Sequence, residues 1–306
     1  METNILEALN ALFEPNKRIY WLYIVSSALI ALVYLRYFKE SARVHLSAKL
    51  WLHKSAVLDY KYFVLSFFLK TIFIVPIVFG INEVSIFTYD FLLEQYGFVK
   101  VTALSYTQIM TLFTLTLFVV SDFTRYWLHR VMHTIPFLWE FHKVHHSAKV
   151  LTPITFYRVH PIENILFGMR YSLSTGVVSG VFIYLFGSMV GVVEILGVNA
   201  LLFLFLLAGS NLRHSHIKVS YPLGIENIFI SPLQHQLHHT TKYFDKNYGG
   251  YLALWDKLFG SLQTSKSVLA SKEKLRFGVQ TKSFQTLSAL LFTPFQNIFK
   301  GIHYAK

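Results

Sequence analysis

Long apolar runs dominate the pattern of apolar and polar positions along the 306-residue chain. A helix that crosses the hydrocarbon core of a membrane needs about 20 mostly apolar residues, and four runs approach or exceed that length. They are Ile19–Leu35, Tyr62–Ile81, Val101–Val120 and Tyr171–Ala208. The last run contains glycines around residues 187–191, and we interpret it as two closely connected spans. The pattern therefore predicts an all-α integral membrane protein with about four to five transmembrane helices.

The third run is predicted to continue beyond the membrane. Because the chain has no glycine or proline between Val101 and Thr134, one helix can reach the break at Pro136. A further helix is predicted over Trp139–Ser147, and segments 38–61 and 82–100 are predicted to lie along the membrane surface as helices. We expect three regions, which are a membrane anchor with two spans (1–100), a central domain (101–262) that contains most of the histidines, and an amphipathic interfacial tail (263–306).

The distribution of lysine and arginine predicts the orientation. Loop 36–61 carries six of these residues, whereas segment 82–100 carries Lys100 alone. Cytoplasmic loops are enriched in lysine and arginine, so the first loop is expected in the cytoplasm. Counting spans then places residues 121–164 and 210–306 on the same side. We expect a multi-pass protein of a bacterial inner membrane or the endoplasmic reticulum, with its active site on the cytoplasmic face.

Composition agrees with a membrane setting and excludes several chemistries. Charged residues are 14% of the chain, against roughly a quarter in soluble domains. The absence of cysteine excludes disulfides, iron–sulfur ligation and thiolate catalysis. The formal net charge is +12, but the basic residues are dispersed through loops and no nucleic-acid motif accompanies them. We attribute them to anionic lipid headgroups rather than to nucleic acid.

Histidine is concentrated in the middle of the chain, where 11 of the 14 histidines fall between positions 129 and 239. Residues three and four apart share a helix face. His129 and His133 have this spacing, and an HxxHH triplet occurs twice, at 142/145/146 and at 235/238/239. Neutral imidazole binds iron, copper, nickel or zinc. Eight aligned histidines are more than one four-coordinate metal uses, so the spacing predicts a site for two metals.

The motifs HRVMH and FHKVHH, followed by QLHH with His235 before it, resemble the histidine boxes of the fatty acid hydroxylase superfamily, which includes the sterol desaturases. The resemblance spans roughly residues 105–262. It includes the segment Arg158–Glu163, the triplet Asn247-Tyr248-Gly249 and the pairs Trp255-Asp256 and Phe259-Gly260. It implies a di-iron site at the cytosolic face of a membrane that uses dioxygen and external electrons to hydroxylate or desaturate a lipid.

Matched position by position, the resemblance gives the metal ligands His129, His133, His142, His145, His146, His214, His235, His238 and His239. Some relatives have another histidine where this chain has Lys218, and His160 and His216 are possible substitutes. Carboxylates are expected to accept hydrogen bonds from the ligand N–H groups. The candidates are Asp122, Glu140, Glu163, Glu226 and Asp245.

The implied partners are a lipid from the bilayer and a separate electron donor. The chain has no haem domain or nucleotide fingerprint, so a b-type cytochrome, a ferredoxin or a flavoprotein must supply electrons. The boxes do not separate hydroxylation from desaturation. The alternative is a membrane transporter or store for metal, although transport requires polar residues inside the spans, where this chain has few. A zinc hydrolase of the HExxH type is disfavoured because HRVMH lacks the glutamate.

Overall fold

The computed structural model describes residues 10–70, 80–99, 101, 103–187, 190–271, 274–279 and 283–301. The first helices are α1 (Trp21–Tyr37), α2 (Ala42–His45), α3 (Ala48–Trp51), α4 (Lys54–Leu69), α5 (Ile81–Tyr96), α6 (Tyr106–Thr134), α7 (Pro136–His146) and α8 (Pro161–Phe186). Two short strands follow, β1 (Glu194–Ile195) and β2 (Val198–Asn199), which pair antiparallel with Glu194 opposite Asn199. The remaining α-helices are α9 (Ala200–Leu207), α10 (Leu223–Glu226), α11 (Pro232–His238), α12 (Leu254–Leu258), α13 (Ser265–Ser271) and α14 (Leu287–Phe299). Segments Pro153–Tyr157 and Ser210–His214 are 3₁₀ helices.

Helix α6 carries the first histidines out of the apolar region, as predicted. It begins at a capping box, in which the Ser105 hydroxyl accepts the Gln108 N–H and the Gln108 side chain accepts the Ser105 N–H. It then runs 29 residues without interruption to Thr134. Pro136 opens α7, since proline at the first helical position has no N–H to leave unpaired. The chain thus turns sharply between two histidine-bearing helices.

Within the described residues, α6 and α8 are the two helices long and apolar enough to cross a membrane. They pack together through a core that contains Ile109 and Phe113 on one helix and Phe182 on the other. Their opposite faces expose large apolar side chains such as Leu115 and Leu173. This exposure suits contact with lipid, so the structure supports a membrane protein.

Helix α5 packs along α8, which corrects the prediction of a surface helix over 82–100. The two helices approach closely at Gly176 and Gly180, where an added Cβ would lie 2.5 Å from the Val84 Cβ and 2.6 Å from the Ser85 carbonyl oxygen, respectively. This GxxxG spacing is typical of helices that pack tightly in membranes. The sequence shows the glycines at positions 176 and 180, but it does not show that α5 is the helix that packs against them.

We expect Gly180→Leu to separate α5 from α8, because the new side chain would meet backbone of the neighbouring helix. Overpacking of this kind costs about 1–3 kcal/mol or more. The matched control is Val177→Leu on the exposed face of the same helix. Thermal unfolding in detergent should show a lower midpoint for Gly180→Leu only. Equal midpoints for the two variants would mean that α5 does not pack there.

The first predicted span, Ile19–Leu35, coincides closely with α1 (Trp21–Tyr37), an apolar helix of 17 residues. Helix α1 lies beside the segment 209–211, since Arg18, just before the helix, binds the Ser210 carbonyl oxygen, and Ile30 within it lies beside Gly209. Further along the chain, His45 of α2 stacks on His216. Helix α4 begins at Lys54, eight residues before the second predicted span. Residues 71–79 of that span lie outside the described residues.

The predicted pair of spans over Tyr171–Ala208 is wrong in its second half. Helix α8 ends at Phe186, and the chain returns through extended backbone, the β1–β2 hairpin and the eight residues of α9. The run between the helices is rich in valine and glycine, which favour extended and turn backbone. Its polar backbone is satisfied against α6, where the Thr114 hydroxyl accepts the Val193 N–H at 2.8 Å. Irregular backbone at membrane depth is tolerated where protein covers it.

Segment 38–61, predicted as a surface helix, forms the two short helices α2 and α3 and the beginning of α4. The C-terminal helix α14 packs onto the histidine-bearing region through Leu290 and Asn297 while Phe299 remains exposed. The Asn297 amide donates to Glu140 of α7 at 2.7 Å. The tail is therefore part of the packed unit as well as amphipathic.

Candidate metal centre

The structure brings nine of the predicted histidines together at the end of α6. They come from α6, α7, the 3₁₀ helix that ends at His214, and α11 with the residue that follows it. The capping box of Ser231 and Gln234 begins α11 and fixes the direction of its histidines. Two groups result, within each of which the candidate ligand atoms all lie within 4.8 Å of one another. One contains His129, His133, His142, His146 and His238, and the other contains His145, His214, His235 and His239.

The two groups are adjacent. The rings of His146 and His239, one from each group, stack with centroids 4.6 Å apart. All nine side chains are buried. Within a group, facing Nε2 atoms lie 3.1 Å apart for His129 and His142, and also 3.1 Å apart for His145 and His214. Two nitrogens that each bind one ion at about 2.1 Å lie roughly 3.0–3.4 Å apart, so these separations fit shared metal ligation.

Hydrogen bonds on the outer ring nitrogens determine which nitrogen holds the proton. His129 Nδ1 donates to the Tyr248 carbonyl oxygen at 2.8 Å, and His238 Nδ1 donates to the Lys246 carbonyl oxygen at 2.7 Å. His145 Nδ1 donates to the Arg158 carbonyl oxygen at 3.1 Å. A carbonyl oxygen only accepts, so the Nε2 atoms of these rings carry lone pairs directed into the groups. Lone pairs that face one another repel, and a cation between them would relieve this repulsion.

Burial keeps these imidazoles neutral. It lowers the pKa of His142 to about 3 and that of His145 to about 4. Burial and neighbouring imidazoles also lower the pKa values of His214, His235 and His239 well below the ordinary histidine range. Metal ligation requires unprotonated imidazole, so the rings are ready to bind a metal at neutral pH. The donor set therefore fits two metal ions.

Two of the five predicted outer carboxylates lie beside ligand candidates. Glu163 accepts a hydrogen bond from His142 Nδ1 at 2.9 Å. Asp245 Oδ1 lies 3.8 Å from His133 Nδ1. The hydrogen bond to Glu163 fixes the ring orientation of His142, and burial raises the pKa of Glu163 to about 8.

The oxygens of the other three predicted carboxylates bind other donors and make no hydrogen bond to a histidine of either group. Asp122 accepts the N–H groups of Tyr251 and Leu252 and the indole N–H of Trp255. Glu140 binds Lys143 and Asn297. Glu226 accepts hydrogen bonds from the hydroxyl groups of Ser231 and Ser265 and from the Ser265 N–H. These carboxylates hold neighbouring segments of the site together. The sequence does not show this role, because it depends on which distant donors each acid meets in the fold.

His160 and His216 belong to neither group, which corrects their prediction as additional ligands. The Nδ1 atom of His160 accepts the Ile162 N–H and caps α8, while its Nε2 atom lies 3.1 Å from the Leu291 carbonyl oxygen. His216 stacks on His45 with ring centroids 5.1 Å apart. The chain therefore continues from His214 in a direction that carries His216 away from the metal groups.

Two buried acids that we did not predict as site residues position the histidines. Asp256 accepts the N–H groups of Tyr248 and Gly249, both at 2.8 Å, and so holds the carbonyl group that binds His129. Asp59 pairs with the Arg158 guanidinium, and the Arg158 carbonyl oxygen holds His145. Asp256 belongs to the pair Trp255-Asp256 of the family resemblance, for which we predicted no role. No sequence signal linked Asp59 to Arg158, which lies 99 residues away.

We expect Glu163→Gln to weaken metal binding by roughly 10–100-fold, because outer hydrogen-bond partners typically contribute that much to metal affinity. The matched control is Glu140→Gln, which changes a buried acid on α7 that contacts Lys143 and Asn297 instead of a histidine. Competition with a chelator, measured for zinc, would give both affinities. If Glu140→Gln loses as much affinity as Glu163→Gln, the effect comes from general loosening of the fold.

A cavity of about 230 Å³ opens beside the histidines. Members of both groups contribute to its wall, including His129 and His142 from one and His145, His214 and His235 from the other. Phe156, Val159 and Phe167 give the wall an apolar part. A molecule in this cavity would therefore meet the metal centre directly.

Comparison with known proteins points to one family. The profile described as fatty acid hydroxylase matches residues 114–261, a range that contains all nine histidines. Human alkylglycerol monooxygenase is 30% identical over 172 residues, which are 53% of this chain and 32% of that protein. Mouse lathosterol oxidase is 28% identical over 147 residues, which are 48% and 44% of the two chains. A Delta(7)-sterol 5(6)-desaturase of Aspergillus fumigatus is 26% identical over 171 residues, which are 55% and 43%.

The chain covers less than half the length of each of these relatives. No solved structure gives a significant match. The matched region agrees with the resemblance read from the histidine boxes, which is thereby confirmed. The motifs and these matches together support the fatty acid hydroxylase superfamily for the matched region, residues 114–261.

Proposed function

We propose that this chain is a membrane oxygenase that holds two iron ions in its nine clustered histidines and uses dioxygen to hydroxylate or desaturate a lipid. The observation that carries the proposal is the pair of adjacent histidine groups. Within each group, ring nitrogens face one another across about 3 Å. All relatives named above are oxidases, monooxygenases or desaturases by name. Zinc has no redox chemistry, so iron suits such reactions better.

The bound iron would supply the activation of dioxygen needed to attack an unactivated C–H bond. The protein contributes the geometry. Backbone carbonyl groups and Glu163 hold the outer ring nitrogens, and burial keeps the imidazoles neutral. Phe156 and Phe167 give the cavity wall an apolar part that would exclude water from the reacting carbon.

We further propose that the lipid enters from the bilayer, because α6 and α8, which carry exposed apolar faces, also supply residues of the cavity wall such as Arg125 and Phe167. The reducing electrons would come from a separate b-type cytochrome, ferredoxin or flavoprotein. The three-region division and the cytoplasmic placement of the centre belong to this proposal. Basic surface residues would attract an acidic electron donor on that side.

The alternative is a metal transporter or store. Transport favours metal-binding residues along a path through the membrane. Here the nine histidines are buried in one place, and α8 contains none over its 26 residues. This distribution favours a fixed metal centre over a transport path.

Lipid analysis tests the oxygenase proposal. The protein should be expressed aerobically with a redox partner in a host of defined lipid composition. We expect mass spectrometry to find a lipid shifted by one oxygen atom or by the loss of two hydrogen atoms. If no lipid changes and the protein moves metal ions across vesicles, the oxygenase proposal is wrong.

A further inference from the structure

The cavity beside the histidines is unusually basic. Four arginines line it, each from a different element or segment, whereas Glu163 is its one carboxylate among the described residues. That carboxylate already accepts a hydrogen bond from His142. The arginines are Arg18, Arg125, Arg170 and Arg213. Bound metal cations would add to this positive charge.

The four guanidinium groups form no direct ion pair in the part of the chain that the structure describes, although the carboxylate of Asp122 acts electrostatically on Arg125, Arg170 and Arg213. None of them lies within 4.0 Å of a carboxylate oxygen. Arg213 donates to the Gly250 carbonyl oxygen at 2.6 Å, and Arg170 donates to the Ser121 carbonyl oxygen at 2.7 Å. The buried Nε atoms of both have no hydrogen-bond partner among those residues. Arg125 makes one long hydrogen bond, at 3.5 Å to the Tyr251 hydroxyl, and its guanidinium lies over the rings of Phe167 and Tyr251.

Several unpaired cations in one buried cavity are electrostatically unfavourable. Burial, with a contribution from Arg125, lowers the pKa of Arg18 to about 10, so this group remains protonated at neutral pH. A bound anion would offset this cost, and guanidinium groups bind phosphate and carboxylate oxygens in particularly favourable geometry.

The apolar part of the same wall indicates that the anion is attached to carbon. Phe156 and Phe167 lie among the arginines, and the Arg18 guanidinium stacks 4.1 Å above the Phe156 ring centre. The volume of about 230 Å³ is below the roughly 300–1,000 Å³ typical of pockets that enclose a whole drug-sized ligand. The cavity therefore accommodates a headgroup and its nearest carbons, with the rest of the molecule outside.

We propose that this cavity binds the anionic headgroup, a phosphate or carboxylate, of the lipid substrate, and so presents a carbon near that headgroup to the metal centre. This inference rests on the proposed oxygenase function. It assigns the substrate to acidic lipids, whereas the sterols and the alkylglycerols in the names of the relatives are neutral.

Equilibrium binding tests this inference without turnover. The full-length, metal-loaded protein would be placed in nanodiscs of zwitterionic lipid without a reductant. The probes are hexadecyl phosphate, hexadecanoate and the neutral hexadecylglycerol, which share one chain length. We expect at least one acidic probe to bind at least tenfold more tightly than hexadecylglycerol.

Substitutions locate the effect. In Arg125→Gln the preference for the acidic probe should fall at least tenfold, and Arg125→Lys should retain part of it. The matched control is Arg130→Gln on the same helix, whose guanidinium donates to Tyr126 and Phe259 and lies outside the cavity wall. Arg170→Gln provides a second test if Arg125→Gln does not fold.

Equal affinities for acidic and neutral probes would overturn the inference, as would an unchanged preference in both cavity variants. Displacement of hexadecyl phosphate by an equal concentration of inorganic phosphate would also overturn it, because the site would then bind a free anion. The two proposals fail separately. An acidic preference without oxidised lipid would reject only the oxygenase, and oxidation of neutral lipids alone would reject only the acidic substrate.

Discussion

The His214→Ala protein is expected to lose lipid turnover by at least about 100-fold, because loss of a ligand should cost more than loss of an outer hydrogen-bond partner. His214 lies at the centre of its group, with its Nε2 atom 3.1 Å from the Nε2 atoms of His145, His235 and His239. Removal of its ring would leave three histidines in that group. Bound metal, measured by mass spectrometry of the purified protein, should fall toward one ion per chain.

The control for this experiment is His216→Ala, two residues further along the chain. Its ring stacks on His45 and belongs to neither group, so turnover and metal content should stay close to those of the unmodified protein. His238→Ala tests the other group in the same way. If His214→Ala and His216→Ala behave alike, the division between ligand and bystander histidines is incorrect.

The second large effect concerns stability. Asp59→Ala would leave the Arg158 guanidinium buried without its counter-charge, and loss of one partner of a buried ion pair typically costs about 3–5 kcal/mol. For a chain of this size that corresponds to a midpoint of thermal unfolding lower by roughly 10 °C. Because the Arg158 carbonyl group holds His145, metal affinity should fall as well.

Glu14→Ala is the matched control for this prediction. Glu14 pairs with Lys17 at 3.5 Å, and both side chains are about half exposed. Exposed pairs contribute about 0–1 kcal/mol, so the midpoint should hardly change. Similar midpoints for the Asp59→Ala and Glu14→Ala proteins would show that the buried pair does not stabilise the fold.

The sequence predicted those parts of the site that depend on local spacing. Helical spacing aligned His142, His145 and His146 on one face, and the absence of glycine and proline carried α6 without a break to His133. Both features are properties of one helix. The two histidine groups form only because α7 and α11 lie close together. The family resemblance implied this proximity, whereas the spacing of the histidines did not.

The rest depended on contacts between distant segments. Asp122 and Glu226 are acids near histidines in the sequence, but tertiary hydrogen bonds direct them to backbone N–H and hydroxyl groups. The apolar run after Gly187 had the composition of a span, yet Thr114 of α6 satisfies the backbone of an irregular return. Apolar content alone does not distinguish a long helix from covered extended chain.

The most direct test of the account is the metal content of the intact protein purified from an iron-supplemented host, combined with X-ray absorption at the iron edge. We expect two iron ions per chain with mainly nitrogen ligands at about 2.1 Å, a distance typical of metal–imidazole bonds. One ion per chain, or a shell dominated by oxygen ligands, would contradict a centre built from two groups of histidines.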